Sequence, residues 1–421
     1  MSPSSRPPPS LGGADWLADP RLQRVLGALS AEGGEARVAG GAVRNALLGE
    51  PVSDIDVATT EVPTRVVDLA RRAGLDVHPT GLDHGTVTVV AKDAQGPRAF
   101  EVTTLRIDVE TYGRHAQVAF TDDWSADARR RDFTMNAMYC DGSGTVFDPV
   151  GGYVDLMERR VRFVGKPEER IREDFLRILR FFRFHARYGH GAPDSNGLSA
   201  CVALQEGLET LSAERIRQEM LKLLVAPGAV TVLRVMVETG IAKRILPTGH
   251  DLERMSRMAE IDASHRLEPD PVLRLAAIGL ATADDAATLR QALRLSNAEF
   301  GRLQHLARSV PPTPALRANE RRIVLYQVGP QGFRDMVRLA WATNDAGFAA
   351  EDWIALLELP EHWTCPRFPV SGADLASRGI PAGPEMGRLL KRLEDWWMAA
   401  GFPADKDAVL AQVDALGARQ P

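Results

Sequence analysis

Two aspartates stand one residue apart in the run SDIDVATT, where Asp54 and Asp56 flank Ile55. The run is rich in β-branched residues and predicts a strand, whose alternation would place both carboxylates on one face. Two carboxylates this close suit Mg²⁺, which often binds substrate phosphates as well. Such a pair can serve phosphoryl-type transfer by activating a hydroxyl and neutralising a leaving group. An isolated pair of this kind is more often an exposed turn.

A glycine pair upstream of the aspartates favours the metal-site interpretation. Gly40 and Gly41 follow a short predicted strand and precede a helix predicted to begin near Val43. Free backbone N–H groups at that helix start would cradle a triphosphate, and Arg44 would add a bidentate contact one turn later. A glycine pair alone usually marks a tight turn, so the prediction depends on its combination with the aspartates.

Two later segments carry further charged candidates. Glu101, in RAFEVTTLR, is predicted on a strand and faces away from the core, either as a third carboxylate of the site or as a solvent-facing side chain. The triplet 129–131 precedes Asp132, which would cap a following helix, with Asn136 structural. In an enzyme that handles phosphates, Arg131 and its neighbours would instead hold a triphosphate or sugar. Both interpretations stay open for each segment.

A stripe of charged residues in EDFLRILRFFRFHARYG is the most informative pattern. Asp174, Arg177, Arg180 and Arg183 recur every three residues, which predicts a polar stripe along one helix. A carboxylate can accept from the amino group of cytosine or adenine while a guanidinium donates to the neighbouring ring nitrogen. Uracil and guanine present the reverse pattern. Asp174 with Arg177 would therefore select C and A without a template strand, the alternative being a solvated basic face.

The elements that must position these residues change in type near Gly151. Short strand-like runs alternate with helical ones over residues 36–148, whereas the later segments are almost entirely helical. This pattern predicts an α+β fold, in which a small head with a central β-sheet precedes an all-helical remainder. We find no internal repeat.

Composition limits the class of protein. A length of 421 residues allows two or more domains, and the net charge of -5 is offset by a local cluster of ten basic against four acidic residues over 159–187. That cluster is a candidate phosphate-binding face. The three cysteines, at positions 140, 201 and 365, lack the spacing of a disulfide framework or zinc site. With no membrane-spanning run and a polar, Pro-rich leader, we expect a cytoplasmic protein without a membrane partner.

Taken in chain order, several motifs resemble the class II family of tRNA nucleotidyltransferases and bacterial poly(A) polymerases, within the DNA polymerase β superfamily. They are GGAVRNALLG, DID, GTVTVV, EVTTLR, RRDFTMNAM, DPVGGYVDL, EDFLRILRFFRF and LSAERIRQEMLKLL, and they cover roughly residues 36–225. The resemblance implies a disordered leader over 1–18, a nucleotidyltransferase head over 19–155, a helical neck over 156–225, and a helical body and tail over 226–421 for tRNA binding.

The same resemblance implies roles for individual residues. Asp54 and Asp56 would bind Mg²⁺, with Glu101 as a further catalytic carboxylate. The other candidates would bind the nucleotide: Gly41, Arg44, Arg131 and Asp132 through its phosphates and sugar, Asp174 and Arg177 through its base, and Arg180 and Arg183 through phosphate or sugar. The helix from Ser212 would brace the neck.

The sequence departs from the family pattern at three places. Ala126 stands where an acidic residue precedes the Arg-Arg-Asp motif, and Asn45 replaces the usual aspartate of the GGxVRD pattern. In the flexible region, Tyr112-Gly113-Arg114 replaces the common Asp-Gly-Arg. Asn45 keeps a hydrogen-bonding side chain and the aspartate pair is intact, so we expect an active enzyme.

The expected activity is template-independent addition of C, C and A to the 3′ end of tRNA from CTP and ATP. A poly(A) polymerase shares these motifs, but GLDHGTVTVV and EVTTLR are typical of the CCA-adding branch, and no LVGRRFRLAH-like segment is present. An enzyme that adds only CC or only A stays possible, as does an RNA-binding protein with a disused site. The second half shows no His-Asp pattern of an added phosphohydrolase domain. Oligomeric state is not predicted.

Overall fold

The computed structural model describes residues 7–79, 81–112, 115–343, 347–413 and 415, with the backbone alone at 83, 108–112 and 115–118. The chain forms two compact units. The first comprises residues 1–247 and 292–294, and the second comprises 248–291 and 295–421.

The strands all lie in the first unit. In chain order they are β1 Ala36–Ala39, β2 Asp56–Thr59, β3 Asp76–His78, β4 Thr86–Asp93, β5 Gly96–Thr104, β6 Arg106–Tyr112, β7 His115–Phe120, β8 Tyr139–Cys140 and β9 Val146–Phe147. Seven of them form one sheet in the order β3-β4-β5-β2-β1-β8-β9, and β6 and β7 form a separate hairpin. Within the large sheet only β2 and β5 pair in parallel.

Alternation along the central strands fixes which face carries chemistry. Val57 on β2 and Val102 on β5 are 1 % and 0 % exposed, and they pair directly across the parallel ladder. Their neighbours Asp56 and Glu101 point to the other face and are exposed. One face of the sheet is therefore core, and the strand period of two leaves the acidic side chains on the opposite face.

The helices of the first unit follow or interrupt these strands. They are α1 Pro20–Ser30, α2 Gly41–Leu47, α3 Pro63–Arg72, α4 Trp124–Arg129, α5 Gly152–Met157, α6 Pro167–Glu173, α7 Leu176–Tyr188, α8 Ser195–Ala203, α9 Ala213–Leu224, α10 Ala229–Glu238 and α11 Ile241–Ile245. Short 3₁₀ helices occur at Leu82–His84, Thr134–Asn136 and Gln205–Thr210. The mixture of a central sheet and many helices confirms the predicted α+β class.

An aromatic cluster packs α7 into the first unit. Phe163 and Phe181 stack with ring centroids 5.5 Å apart, and Phe133 contacts Phe163 and Phe184 at 5.0 Å each. All four side chains are at most 5 % exposed. Offset aromatic packing of this kind restricts the rotation of α7, so its opposite, arginine-bearing face is held in one orientation.

The predicted charged stripe is not continuous along one helix, since its three arginines lie on α7 and Asp174 precedes that helix. Asp174 has an extended backbone, with φ -156° and ψ 108°, and it lies between α6 and α7. The prediction of a single helix through Asp174 is therefore wrong. Asp174 Oδ1 instead accepts from the N–H of Leu176 at 3.1 Å and so satisfies a free donor at the start of α7.

The predicted leader is partly folded. The N–H of Leu11 donates to the carbonyl of Gly144 at 2.8 Å, and a Cβ on Gly144 would lie 2.0 Å from the nitrogen of Gly12. Leu17 is 2 % exposed. The expectation of a disordered leader over 1–18 is wrong for residues 11–17, because Leu11 is held at the turn between β8 and β9 and Leu17 is buried.

The described residues of the second unit form helices joined by turns and loops, without strands. Its helices are α12 Leu252–Ser264, α13 Pro271–Gly279, α14 Ala283–Leu293, α15 Asn297–Arg308, α16 Ala318–Thr343, α17 Ala350–His362, α18 Gly372–Ala376, α19 Pro384–Ala399 and α20 Lys406–Leu410. Trp353 and Trp397, each at most 2 % exposed, lie in two separate apolar clusters. Across the described ranges, no helix is both long and apolar enough to cross a membrane.

Candidate active site

A cavity of about 470 Å³ in the first unit brings most of the predicted site residues together. Those that line it are Gly41, Arg44, Asp56, Arg131, Asp132, Asp174, Arg177 and Arg180. Three others are not among its lining residues, namely Asp54, Glu101 and Arg183. Residues as far apart in sequence as Gly41 and Arg180 therefore meet at one surface, which neither spacing nor periodicity alone would establish.

The acidic side of the site is built by the parallel pair β2 and β5. Asp56 and Glu101 are register partners, and Asp54 precedes β2 with its carboxylate 3.4 Å from the hydroxyl of Ser53. Burial of Asp56 raises the pKa of its carboxyl, and repulsion from Glu101 and then Asp54 adds to the rise, although Arg131 opposes it. Glu101 therefore lies beside Asp56 on the exposed face of the ladder, and its role as a third carboxylate stays a prediction.

The carboxylates fit a divalent cation in their chemistry. All three offer oxygen ligands, which Mg²⁺ prefers. After burial, which is the largest cause, repulsion from Glu101 and Asp54 contributes to the raised pKa of Asp56. In the part of the chain that the structure describes, no group of three or more acidic, histidine or cysteine side chains is arranged to hold a metal. The assignment of Asp54 and Asp56 as a metal pair stays a prediction.

The glycine pair joins β1 to α2 next to the carboxylates, because Ala39 at the end of β1 is the register partner of Asp56. Gly40 has a φ of 66°, in the left-handed region, and a Cβ there would lie 3.1 Å from Nη1 of Arg131. A side chain at this position would therefore be strained and would push on that arginine. Helix α2 begins at Gly41, two residues before the predicted start at Val43.

Arg44 on α2 is buried, with 7 % of its surface exposed. Its guanidinium donates to Asn45 Oδ1, to Asn136 Oδ1 at 2.5 Å and to Tyr188 Oη at 2.8 Å. Burial lowers the pKa of Arg44, and Tyr188 partly counteracts this effect. The phosphate contact predicted for Arg44 stays a prediction, and the side chain lines the cavity from a fixed position.

Arg131 is held in place by the carboxylate of Asp127, which sequence reasoning missed. Asp127 on α4 is 1 % exposed and accepts from Arg131, from Arg130 and from the hydroxyl of Tyr139. Burial would raise the pKa of Asp127, but attraction to Arg131 and Arg130 keeps it below its ordinary value. The acidic partner that appeared to be lost at Ala126 is thus present one residue later in the chain.

Asp132 connects the head to α7. Its Oδ1 accepts from Asn136 Nδ2 at 3.0 Å and from the N–H of Phe133, while its Oδ2 pairs with Arg180 at 2.5 Å. The segment after it is the short 3₁₀ helix Thr134–Asn136, so the expected capped α-helix is absent from this described segment. Burial would raise the pKa of Asp132, but Arg180 keeps it low.

The proposed base-reading pair faces the cavity with both members engaged elsewhere. Asp174 Oδ2 accepts from Arg215 on α9 at 2.6 Å. Arg177 pairs with Glu173 and donates to the carbonyl of Arg130 at 3.3 Å. A nucleotide base that binds both Asp174 and Arg177 must therefore replace or share these contacts.

Helix α9 braces α7 as the sequence predicted for the helix from Ser212, which is the N-cap of α9. Glu219, 6 % exposed, accepts from Arg183 Nε at 2.5 Å and lies 3.9 Å from Arg180. The structure thus turns Arg183 towards α9 and leaves its phosphate-binding role a prediction.

Sequence reasoning missed five residues that partner predicted site residues, namely Asp127, Glu173, Tyr188, Arg215 and Glu219. The first two lie four positions from their arginine partners, whereas the other three lie at least 36 positions from theirs. A spacing of four residues was the available signal for Asp127 and Glu173, and it also places Arg215 and Glu219 on one face of their helix. Of the flexible-region substitution, Gly113 and Arg114 lie outside the described residues and Tyr112 is described by its backbone alone.

A sheet that presents paired carboxylates beside an arginine-lined cavity is the arrangement of a nucleotidyltransferase. The comparisons agree. Residues 36–162 match the model described as the poly A polymerase head domain, and residues 194–252 match the probable RNA and SrmB-binding site of polymerase A.

Relatives that match most of the chain identify which nucleotidyltransferases it resembles. The chain is 35 % identical over 396 residues to the mitochondrial CCA tRNA nucleotidyltransferase 1 of Mus musculus, covering 93 % of this chain and 89 % of that one. It is 40 % identical over 246 residues to the CCA-adding enzyme of Geobacillus stearothermophilus, with 57 % and 58 % covered. A solved structure of the Bacillus stearothermophilus CCA-adding enzyme in complex with CTP superposes with a TM-score of 0.75 at 28 % identity, covering 94 % and 98 %. The chain belongs to the class II family of CCA-adding tRNA nucleotidyltransferases.

Proposed function

We propose that this chain adds C, C and A in order to the 3′ end of tRNA, taking CTP and ATP without a template. The RNA 3′ hydroxyl attacks the α-phosphate of the bound nucleotide, and pyrophosphate leaves. The observation that carries this proposal is the cavity where Asp56, Arg180 and the pair Asp174 and Arg177 meet. The activity named for its relatives agrees with it.

The carboxylates hold Mg²⁺ in this proposal. Asp54 and Asp56 are the ligands, and Glu101 is the neighbouring carboxylate that completes the negative cluster. The bound metal supplies Lewis-acid charge for the phosphates and lowers the pKa of an attacking hydroxyl. The contribution of the chain itself is to keep these oxygens on the solvent side of a rigid parallel ladder, where orientation costs nothing during reaction.

The cationic wall holds the triphosphate and sugar. Gly41 and Arg44 lie on the α2 side, Arg131 and Asp132 follow α4, and Arg180 and Arg183 project from α7. Since Arg131 and Arg180 are each anchored by a buried carboxylate, their positions are set before the nucleotide arrives. Prepositioned charge of this kind reduces the reorganisation that the reaction requires.

Base selection resides in Asp174 and Arg177. The carboxylate accepts from the amino group of C or A, and the guanidinium donates to the adjacent ring nitrogen. The lining of the cavity by both residues supports this assignment. A relative whose solved structure holds CTP has the same fold.

The domain organisation extends the proposal to the RNA. We assign the head to 19–155, the neck to 156–225 and the body and tail to 226–421, with tRNA lying along the helical part through its phosphates. Such binding weakens with added salt because counterions are released on association. We also assign the enzyme to the cytoplasm on the basis of its leader and its three unpaired cysteines, although mouse and human relatives carry the name mitochondrial.

Nucleotide incorporation tests the proposal directly. Labelled CTP and ATP, each alone and together, are supplied with Mg²⁺ to tRNA that lacks its CCA end and to an unstructured RNA. We expect C, C and A on tRNA only. Long A tails would move the assignment to a poly(A) polymerase, and CC alone or A alone would indicate a partial enzyme. Absence of any incorporation would favour an RNA-binding protein with a disused site.

A further inference from the structure

Arg44 differs from the other cavity arginines in the charge of its partners. Its guanidinium donates to Asn45 Oδ1 at 2.9 and 3.1 Å, to Asn136 Oδ1 and to Tyr188 Oη. All of these acceptors are neutral. Among the described residues, no carboxylate forms an ion pair with Arg44, and Asp132 and Glu50 attract it only from a longer distance.

The neighbouring arginines are balanced within the protein. Arg131 pairs with Asp127, Arg177 with Glu173, and Arg180 with Asp132. Arg44 is nevertheless more buried than any of these, at 7 % exposed. A buried cation without a counter-charge is expensive, so such a group usually indicates an anion that binds beside it.

Tyr188 is the partner that comes from another element. It is the last residue of α7, and its hydroxyl accepts from Arg44 Nη2 at 2.8 Å and lies 3.4 Å from Asn45 Oδ1. Its ring also lies under the guanidinium, with 4.2 Å between the ring centroid and the guanidinium carbon. The hydroxyl therefore fixes the direction of Arg44 and adds no negative charge.

We propose that Tyr188 is a positioning residue for the phosphate-binding cation of this enzyme: it aims Arg44 from the end of α7 while leaving the arginine charge free for the nucleotide triphosphate. This inference rests on the proposed function and extends it to a residue outside the recognised motifs. It makes α7 responsible for both ends of the nucleotide, since Arg177 near its start faces the base and Tyr188 at its end aims the cation.

The variant Tyr188→Phe tests the inference because it keeps the ring and removes only the hydroxyl. Losing a hydrogen bond to a charged group predicts a rise of roughly three- to tenfold in KM for CTP and for ATP alike, with kcat nearly unchanged. The affinity for inorganic tripolyphosphate, measured as a competitive inhibitor, should fall by the same factor. The melting temperature should stay within about two degrees of the wild type.

Tyr326→Phe is the matched control, since the Tyr326 hydroxyl donates to Glu394 at 2.8 Å in the second unit. It should leave both KM values and tripolyphosphate inhibition unchanged. A Tyr188→Phe enzyme with wild-type tripolyphosphate affinity overturns the inference. So does one in which CTP and ATP are affected unequally, because the triphosphate is common to both.

Wild-type enzyme that fails to add C, C and A counts against the proposed function, whereas active wild type with an unaffected Tyr188→Phe variant counts against the role of Tyr188 alone.

Discussion

The site has an acidic wall, formed by Asp56 and the adjacent Glu101 on the sheet, and a basic wall, formed by Arg131 and Arg180 on the helical side. The charges of these two walls are balanced in different ways. On the sheet, Asp56 faces Glu101 across the β2–β5 ladder, and the pKa of Asp56 is raised by burial and by that neighbour. On the helical side, Arg131 and Arg180 are each paired with a carboxylate, and the pKa of each is raised despite burial. The carboxylates of the acidic wall therefore repel one another, whereas the arginines of the basic wall are paired with carboxylates of the protein itself.

This difference indicates what each wall does. A bound cation stabilises carboxylates that repel one another, so metal binding at the acidic wall should lower the free energy of the folded protein. Paired arginines gain less from an arriving anion, because their attraction is partly satisfied already, but their geometry is fixed. The acidic wall is suited to capturing charge and the basic wall to orienting the substrate.

The largest effect should follow removal of charge from the acidic wall. Asp56→Asn should lower incorporation by at least about 10³-fold, since metal binding and charge stabilisation supply several kcal/mol. Its melting temperature without metal should not fall, because a repulsive pair is relieved. Incorporation assays and thermal unfolding measure both outcomes, and Asp68→Asn, on the exposed face of α3, is the control. An active Asp56→Asn enzyme would exclude the metal assignment.

The next effect concerns an anchor of the basic wall. Asp127→Asn leaves Arg130 and Arg131 without their buried counter-charge and should reduce the free energy of unfolding by about 3 kcal/mol. Denaturant unfolding measures the change, with the exposed Asp122→Asn as the control. An unchanged midpoint would mean that the basic wall is not held by internal pairing.

Base selection should respond to Arg177 more weakly. Arg177→Ala removes one of two hydrogen-bonding groups, so preference for CTP and ATP over UTP and GTP should fall by about tenfold or more. Competition between the four nucleotides measures this preference. Arg172→Ala, exposed on α6, should retain full selectivity. Unaltered selectivity in Arg177→Ala would place base reading elsewhere.

The smallest effect is expected at the brace. Glu219→Gln keeps a hydrogen-bond acceptor for Arg183 but loses the charge, and should cost about 1 kcal/mol of unfolding free energy. The exposed Glu214→Gln on the same helix should cost nothing measurable in chemical denaturation. If Glu219→Gln lowered the free energy of unfolding as much as Asp127→Asn, the Glu219 carboxylate would be as important as Asp127 for holding the arginines of the basic wall.

The sequence predicted the sheet and the amphipathic character of α7 because each depends on local period. The alternation after Asp54 indicated a strand, although β2 begins only at Asp56, and the Phe and Leu positions of α7 are a helix signature. Local period does not identify partners that are distant in sequence. Nothing near Arg44 indicates that Tyr188 contacts it.

The break at Asp174 was missed for a related reason. Glu173, Asp174 and Phe175 have no glycine or proline to signal an interruption, so the charge spacing suggests one continuous helix. The break arises from tertiary contacts, since Asp174 pairs with Arg215 on a helix that begins almost forty residues later. Charge spacing predicted the members of the site but not their backbone.

The folded part of the leader matters for how the protein is produced in the laboratory. Trimming the gene to start at Asp19, where the sequence suggests that the domain begins, would delete Leu11 and Leu17 and uncover the hairpin of β8 and β9. Tyr139, whose hydroxyl bonds to Asp127, lies on that hairpin. A trimmed protein should therefore melt at lower temperature and be cut faster by protease than one that keeps residues 7–18, which makes the Pro-rich start a segment to retain in any expression clone.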